Sequence, residues 1–151
     1  MRAIALALGL LGPLVGCNRG TDARSLNWYV NPDNGGQTRL AARCSAASHG
    51  RYRIVVSDLP RDATSQREQL VRRLAARDPS IDLMNVDPPF VPEFAEAGFL
   101  AALSEADAAR FTDGALKGAV DSATWRGKLV AAPLWANTQL LWYRKSVARR
   151  A

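Results

Sequence analysis

The chain has 151 residues, enough for one ordinary domain, and carries 20 lysines and arginines against 14 acidic residues, a formal net charge of +6. The basic residues are mostly arginines scattered along the chain rather than a stripe interleaved with aromatic residues, so we expect no nucleic-acid binding. One histidine and two cysteines, without a CxxC or HExxH spacing, provide no ligand set for zinc.

The first 16 residues are predicted to be a signal peptide. Arg2 gives a positive start, and residues 3–11 form an apolar run that is shorter than the roughly 20 residues of a membrane-spanning helix. Residues 14–17 (LVGC) resemble the lipobox of bacterial lipoproteins, in which the cysteine sulfur, here Cys17, receives a diacylglycerol. The alternative is an ordinary secretory signal with an incidental cysteine. Residues 17–25 are then a polar, lipid-anchored tether on the outer face of the cytoplasmic membrane.

The first elements after the tether are a strand and a helix. Residues 26–30 (LNWYV) predict a strand, and residues 31–36 (NPDNGG) predict a turn. Residues 37–47 predict a helix with Leu40, Ala41, Cys44 and Ala47 on one face. This spacing favours a buried, free thiol for Cys44, although a disulfide partner elsewhere is the alternative.

The next elements continue the alternation of strands and helices. Residues 52–56 (YRIVV) predict a second strand, and Ser65 to Glu68 has the form of a capping box for a helix ending near Asp78 and Pro79. Residues 81–86 (IDLMNV) are mostly apolar, as expected of a parallel strand covered on both faces. The βαβαβ pattern predicts an α/β fold, a parallel-sheet, three-layer lobe with right-handed connections.

The last third of the chain is predicted to contain short elements. Pro92 can open a short helix and Gly98 can close it, and residues 101–119 predict further short helices. Residues 125–128 (WRGK) predict a turn leading into a strand, and residues 137–143 (NTQLLWY) predict a late strand. Residues 147–151 look like the first turn of a helix, so we expect the chain to be a fragment of a longer protein or the product of a truncated gene.

The sequence offers no arrangement of catalytic residues. Nucleophilic catalysis needs a base beside the nucleophile, and the only histidine, His49, lies at a predicted helix end. Asp82 and Asp87 are five residues apart on one strand and therefore face opposite sides of the sheet. No phosphate-binding GxxxxGK[ST] motif is present. We predict that the protein is not an enzyme and uses no cofactor or metal.

Polar side chains instead follow the predicted strands where each strand ends. Asp33, Asn34 and Gln37 follow the first strand, Asp87 follows the third, and Asn137 begins the late strand. In an open parallel sheet these positions meet at one edge, where ligands bind. Carboxylate and amide groups can hydrogen-bond the hydroxyls of a sugar, which both donate and accept.

Four stretches of the chain resemble the family-1 extracellular solute-binding proteins: residues 28–37 (WYVNPDNGGQ), 66–76 (QREQLVRRLAA), 81–99 (IDLMNVDPPFVPEFAEAGF) and 128–145 (KLVAAPLWANTQLLWYRK). The similarity covers nearly all of residues 26–151, and the group most like this chain is the lipoprotein that binds trehalose or maltose-type disaccharides in high-GC Gram-positive bacteria. The resemblance implies two α/β lobes that close around a sugar and a partnership with ABC permease subunits. Members are several hundred residues long, so residues 26–151 match the first part of the N-terminal lobe, through the first crossover strand.

The resemblance also assigns roles to individual residues. It places Asn34, or its neighbour Asp33, in the loop that contacts the first glucose. It makes Asp87 the acidic residue after the third strand and Asn137 the polar residue that opens the crossover strand, while Gln37 and Phe90 are weaker matches. Asn34 could instead serve the turn, and Asp87 could cap or turn the chain before its two prolines. A structural role is least favoured for Asn137, since a buried amide in an apolar strand needs partners.

The resulting hypothesis is a disaccharide receptor of an ABC importer. Alternatives with the same fold bind a longer oligosaccharide or a glycerol phosphate ester. A different class, a small surface lipoprotein acting as an interaction module, and a non-functional truncated gene product also remain open.

Overall fold

The computed structural model describes residues 24–101, 103–137 and 140–150. The predicted signal peptide, Cys17 and most of the predicted tether lie outside these residues. The first strand begins at Arg24, so the last two residues assigned to the tether are part of the sheet. Within the described ranges, no helix is long and apolar enough to cross a membrane.

Three parallel strands form the centre of the fold: β1 (Arg24–Val30), β2 (Tyr52–Asp58) and β3 (Leu83–Met84). Their order is β2-β1-β3, with Leu26 beside Ile54 and Trp28 beside Leu83. The strand β1 therefore lies in the middle of the sheet. The two long helices, α1 (Gly36–Ala47) and α2 (Ala63–Ala75), follow β1 and β2 in the chain. This arrangement confirms the predicted parallel α/β fold.

Successive side chains of β1 point to opposite faces of the sheet, so they divide the core into two parts. Trp28 and Val30 pack with Ala41 of α1. Tyr29, between them, belongs to a second cluster with Leu70 of α2, and Leu59 and Phe94 complete it. The sheet is therefore covered by α1 on one face and by α2 on the other, as a three-layer lobe requires.

The predicted inner face of α1 is confirmed only for Ala41, which is buried, because the helix is rotated and leaves Leu40 39% exposed. The buried positions are Gln37, Ala41 and Ser48, whereas Ala47 is exposed and Cys44 is only half-buried. Hydrogen bonds explain the rotation, since Ser45 Oγ accepts from the N–H of Ile54 and Ser48 Oγ donates to the carbonyl of Tyr52, both at 2.8 Å. These bonds turn the serines, rather than the apolar stripe, towards β2.

The start of α2 also differs from the prediction. Its cap is Asp62, whose Oδ1 accepts from Ser65 N at 2.8 Å, so Ser65 is the third residue of the helix rather than its cap. The backbone N–H of Ser65 lowers the pKa of Asp62, because a hydrogen bond to the charged form favours ionisation. The next turn contains Gln66, which is 7% exposed and donates from Nε2 to the carbonyl of Pro60 at 2.7 Å.

The third strand is shorter than the predicted range of 81–86. Its ladder extends through Asp82 N to Asn27 O (3.2 Å) and Asn85 N to Tyr29 O (2.8 Å). Leu83 is 45% exposed, so the prediction that this strand is covered on both faces is wrong at that position. The reason is that β3 is an edge strand of the sheet formed by the described residues.

The remaining elements are short. A 3-10 turn at Pro88–Phe90 leads into α3 (Val91–Glu96), which has Pro92 in its first turn and Gly98 in a left-handed conformation just after it, as predicted. The other elements are α4 (Glu105–Thr112), α5 (Lys117–Ser122), the antiparallel hairpin of β4 (Thr124–Trp125) and β5 (Lys128–Leu129), and α6 (Lys145–Ala148). The predicted turn at residues 125–128 is therefore confirmed.

The predicted late strand at residues 137–143 is wrong for the residues that can be assessed. Residues 137 and 140–143 are not in a strand, and residues 138 and 139 lie outside the described ranges. Leu141 is 90% exposed and Trp142 is 86% exposed. A strand needs a neighbour for its ladder of hydrogen bonds, and within the described part of the chain no strand pairs with this segment.

Candidate functional site

A cavity of about 540 Å³ opens beside the carboxyl ends of β1 and β3. The place follows from the topology, because the carboxyl ends of parallel strands meet at one edge of a sheet. The cavity has polar and aromatic sections in its wall. Its polar lining is Asn31, Asp82, Asn85, Asp87 and Ser122, and its aromatic lining is Trp28, Phe99, Phe111 and Trp135.

Asp87 lies in the cavity wall and contacts the end of the neighbouring strand. Its Oδ1 accepts a hydrogen bond from Asn31 Nδ2 at 3.2 Å. The turn that follows is held by the main chain, since the carbonyl of Asp87 accepts from Phe90 N at 2.9 Å and its side chain makes no capping bond. The backbone of Asp87 therefore serves the turn, while the carboxylate faces Asn31 and the cavity.

Asp33 and Asn34 lie in the loop between β1 and α1, and both are exposed. Asp33 accepts from Gly35 N at 2.7 Å and from Gln37 N at 2.9 Å, so it anchors the start of α1. The backbone N–H of Gln37 is the main reason that the pKa of Asp33 is lowered. Gly36 permits this geometry, because a Cβ there would lie 2.9 Å from Asp33 Oδ2. Asn34 is thereby presented at the tip of a fixed loop.

Gln37 is the most deeply buried of the predicted site residues, with 3% exposure. Its Nε2 donates to the carbonyl of Asn31 at 2.7 Å, and its Oε1 accepts from Asn85 Nδ2 at 2.6 Å. The amide of Asn85 in turn accepts from Trp28 Nε1 at 3.0 Å. These bonds connect the core to Asn31 and, through its side chain, to Asp87.

The structure does not bring the remaining two predicted residues into this cavity. Phe90 is half-buried and packs against the core cluster that contains Tyr29 and Phe94. Asn137 is exposed, two residues beyond Trp135, the last residue of the segment that lines the cavity. The predicted residues therefore divide into Asp87 in the cavity wall, Asp33 and Asn34 in the adjacent loop, Gln37 at the start of α1, and these two outside the cavity.

Asn31 and Asn85 are cavity residues that the sequence analysis did not single out. Each is a polar residue directly after an apolar stretch of a strand. Such a position gives a usable signal, because a buried amide needs hydrogen-bond partners. The partners themselves are 56 and 57 residues away in the chain, and sequence spacing alone does not identify them.

A salt bridge fixes the segment that follows Asp87. Arg67 of α2 contacts Glu93 of α3 through Nε and Nη2, each at 2.5 Å from a carboxylate oxygen. Hydrogen bonding to the partner lowers the pKa of Glu93 and raises that of Arg67. Both side chains are about one-third exposed, so we assign the pair a positioning role rather than a large contribution to stability. Among the described residues, no group of three or more histidine, cysteine or acidic side chains could hold a metal ion.

Comparison with known proteins places this lobe in a family. Residues 47–151 match the family model of bacterial extracellular solute-binding proteins. A similar solved structure is the maltodextrin binding protein MalE1 from L. casei BL23 without ligand, at 18% identity and a TM-score of 0.58. The match covers 73% of this chain and 29% of that one, so the likeness establishes the fold of one part of such a protein. Since the family model matches more than half of the chain, the chain belongs to the bacterial extracellular solute-binding protein family.

Proposed function

We propose that this chain is the first part of the substrate-binding component of an ABC importer and that its ligand is a carbohydrate of the disaccharide or maltodextrin class. The family membership supports the importer, and the maltodextrin-binding neighbour supports the ligand class. One observation carries the proposal: a cavity at the carboxyl edge of the parallel sheet is lined by two carboxylates, two amides and several aromatic rings.

The chemistry of this lining suits a sugar. Each sugar hydroxyl both donates and accepts, so the Asp87 carboxylate can accept from a hydroxyl while amide groups donate to others. The C–H faces of a pyranose are apolar and pack well on aromatic rings, and Trp135 is a half-exposed ring in the cavity wall. The volume of about 540 Å³ lies within the range of roughly 300–1,000 Å³ typical of small-molecule sites.

Of the six residues assigned to the ligand from the sequence, three are proposed to contact it. Asp87 accepts a hydroxyl hydrogen bond in the cavity, and Asn34 contacts the ligand from the tip of its loop. Asn137 reaches the ligand from the segment that leaves the cavity. The other three give the site its shape: Asp33 anchors the loop, Gln37 supports it from the core, and Phe90 packs the turn after Asp87 against the core.

We propose that a second lobe closes over the sugar by a hinge motion, that ABC permease subunits accept the loaded protein, and that trehalose or a maltose-type disaccharide is the preferred ligand. A lipid anchor on Cys17 would hold the protein at the outer face of the cytoplasmic membrane.

Calorimetric titration tests the ligand class directly. The complete polypeptide that carries these residues is titrated with trehalose, maltose, maltotriose and a glycerol phosphodiester. We expect saturable binding of at least one sugar and none of the phosphodiester. Asp87→Ala should weaken sugar binding, whereas the matched control Asp121→Ala should not, since Asp121 is an exposed carboxylate paired with Lys117 outside the cavity. If none of the three sugars binds to wild type, the carbohydrate proposal is wrong.

A further inference from the structure

We propose that Asn31 is a positioning residue for ligand binding, which holds the Asp87 carboxylate in the orientation that receives a sugar hydroxyl. The inference rests on the proposed function, in which Asp87 contacts the sugar. It concerns a residue whose side chain contacts Asp87 directly and whose main chain is held by the core.

The main chain of Asn31 is fixed from inside the lobe. Asn31 is the first residue after β1, and its carbonyl accepts from Gln37 Nε2 at 2.7 Å. Gln37 is almost fully buried and is held in turn by Asn85, which accepts from Trp28. The backbone of Asn31 is therefore fixed in position, and this restricts where its side chain can place the amide that contacts Asp87. A group held by packing and hydrogen bonds in this way can orient the residue that binds ligand.

Only one of the two polar atoms in the side-chain amide of Asn31 makes a hydrogen bond to the described residues. Its Nδ2 donates to Asp87 Oδ1 at 3.2 Å, whereas its Oδ1 is buried and accepts no hydrogen bond from the residues that the structure describes. A buried carbonyl oxygen without a partner lowers stability. Among the described residues, the only hydrogen bond of this side chain is therefore the one to the carboxylate in the cavity wall.

That contact restricts the carboxylate of Asp87. Asn31 is the one side-chain donor to Asp87 among the described residues, and it engages Oδ1. With Oδ1 held, the plane of the carboxylate is set before the ligand arrives, and Oδ2 remains to accept from a sugar hydroxyl. Fixing a side chain in its bound orientation increases affinity because less rotamer freedom is lost on binding.

A double-mutant cycle in the complete polypeptide tests this coupling. Sugar affinity is measured by calorimetry for wild type, Asn31→Ala, Asp87→Ala and the double variant, using the sugar that wild type binds best. We expect Asn31→Ala to weaken binding about three- to ten-fold, as for loss of one hydrogen bond. The double variant should match Asp87→Ala within about two-fold, since residues that act through one contact are not additive. Effects that multiply in the double variant would show that Asn31 acts independently of Asp87 and would overturn the inference.

The isosteric variant Asn31→Asp separates orientation from shape. It keeps the size of the side chain but replaces the donor with a second carboxylate, which repels Asp87 while both are ionised. We expect affinity well below that of Asn31→Ala at neutral pH. Affinity equal to wild type would mean that only the shape of the side chain matters, and the inference would be wrong.

The outcomes also separate this inference from the proposed function. If wild type binds none of the sugars, both fail. If wild type binds and Asp87→Ala is without effect, the assignment of Asp87 is wrong and the role of Asn31 is overturned with it. If Asp87→Ala weakens binding and both Asn31 variants leave it unchanged, the positioning role alone is refuted. Melting curves without sugar identify any variant that has lost its fold. If one Asn31 variant does not fold, the sugar affinity of the other Asn31 variant tests the positioning role.

Discussion

Replacing Gln37 with leucine removes a buried amide whose two ends hold different parts of the candidate site. The carbonyl of Asn31 loses its donor, and the amide nitrogen of Asn85 loses its acceptor. Leucine keeps most of the volume, so the change reports mainly on these two hydrogen bonds rather than on a cavity.

The expected loss of stability can be worked from the partners. A polar group left buried without a partner costs about 1–3 kcal/mol. Asn31 and Asn85 are half-buried, so we take the lower part of that range for each and expect the free energy of unfolding to fall by about 2–4 kcal/mol. Sugar affinity should fall as well, since Asn31 would no longer hold Asp87 from a fixed main chain.

Gln66 provides a matched control, because it holds the loop before α2 as Gln37 holds the loop before α1. It lies on α2 as Gln37 lies on α1, is also buried, and donates to a carbonyl six residues earlier. Its side chain makes one such bond rather than two, and its partner, Pro60, does not line the cavity, whereas Asn31 and Asn85 do. Gln66→Leu should therefore cost about half as much stability and leave sugar affinity unchanged.

Urea denaturation followed by tryptophan fluorescence, with calorimetric titration of the same proteins, measures both quantities. The reasoning would be refuted if Gln37→Leu were no more destabilising than Gln66→Leu. Equal losses of sugar affinity in the two variants would contradict a second part of the reasoning, namely that Gln37 affects binding through Asn31 and Asp87.

Three further predictions concern the ligand, the anchor and acid stability. Asp87→Ala should weaken sugar binding by roughly ten- to a hundred-fold, and Asn137→Ala should weaken it by less, as measured by calorimetric titration. An Asp87→Ala protein that binds sugar normally but melts at a much lower temperature would identify Asp87 as a turn residue only. Labelled palmitate should enter wild type and not Cys17→Ala, and equal labelling of both would exclude the lipid anchor. Asp33 and Asp62 have lowered pKa values in the folded state. Their contribution to the free energy of unfolding is therefore fully present above the pKa of an aspartate in the unfolded chain, about 3.9, and is lost as the pH falls through their pKa values in the folded state. The melting temperature should accordingly fall on acidification below about pH 4, and the fall should be shallower in Asp33→Asn and Asp62→Asn; an unchanged slope in both would refute the capping roles.

The alternation of strands and helices was predictable because it depends on local signals. Periodicity and the turn residues 31–36 locate β1 and α1 to within about two residues. The face of α1 was not predictable in the same way. Apolar spacing favours Leu40 and Ala47, but the hydroxyls of Ser45 and Ser48 bond to β2 and turn the helix. Spacing does not reveal the acceptors and donors that a distant strand offers.

In the candidate site, too, features that depend on neighbouring residues were predictable, and features that depend on contacts between distant residues were not. The position of Asp87 at the carboxyl edge follows from strand order and the rule for parallel sheets. The role of Asn31 depends on a residue 56 positions away, and only the folded chain brings the two together. The late strand fails for a related reason, because apolar residues such as Leu141 form a strand only beside a partner that can complete the ladder of hydrogen bonds.

The two buried glutamines set the length of their loops. Each spans six residues, from Gln37 back to the carbonyl of Asn31 and from Gln66 back to that of Pro60. Inserting or deleting one residue between the two ends would separate the amide from its carbonyl, so both loops should accept substitutions at exposed positions but resist a change in length. Redesign of ligand preference should therefore vary the side chain at Asn34 and keep the spacing between Asn31 and Gln37 constant.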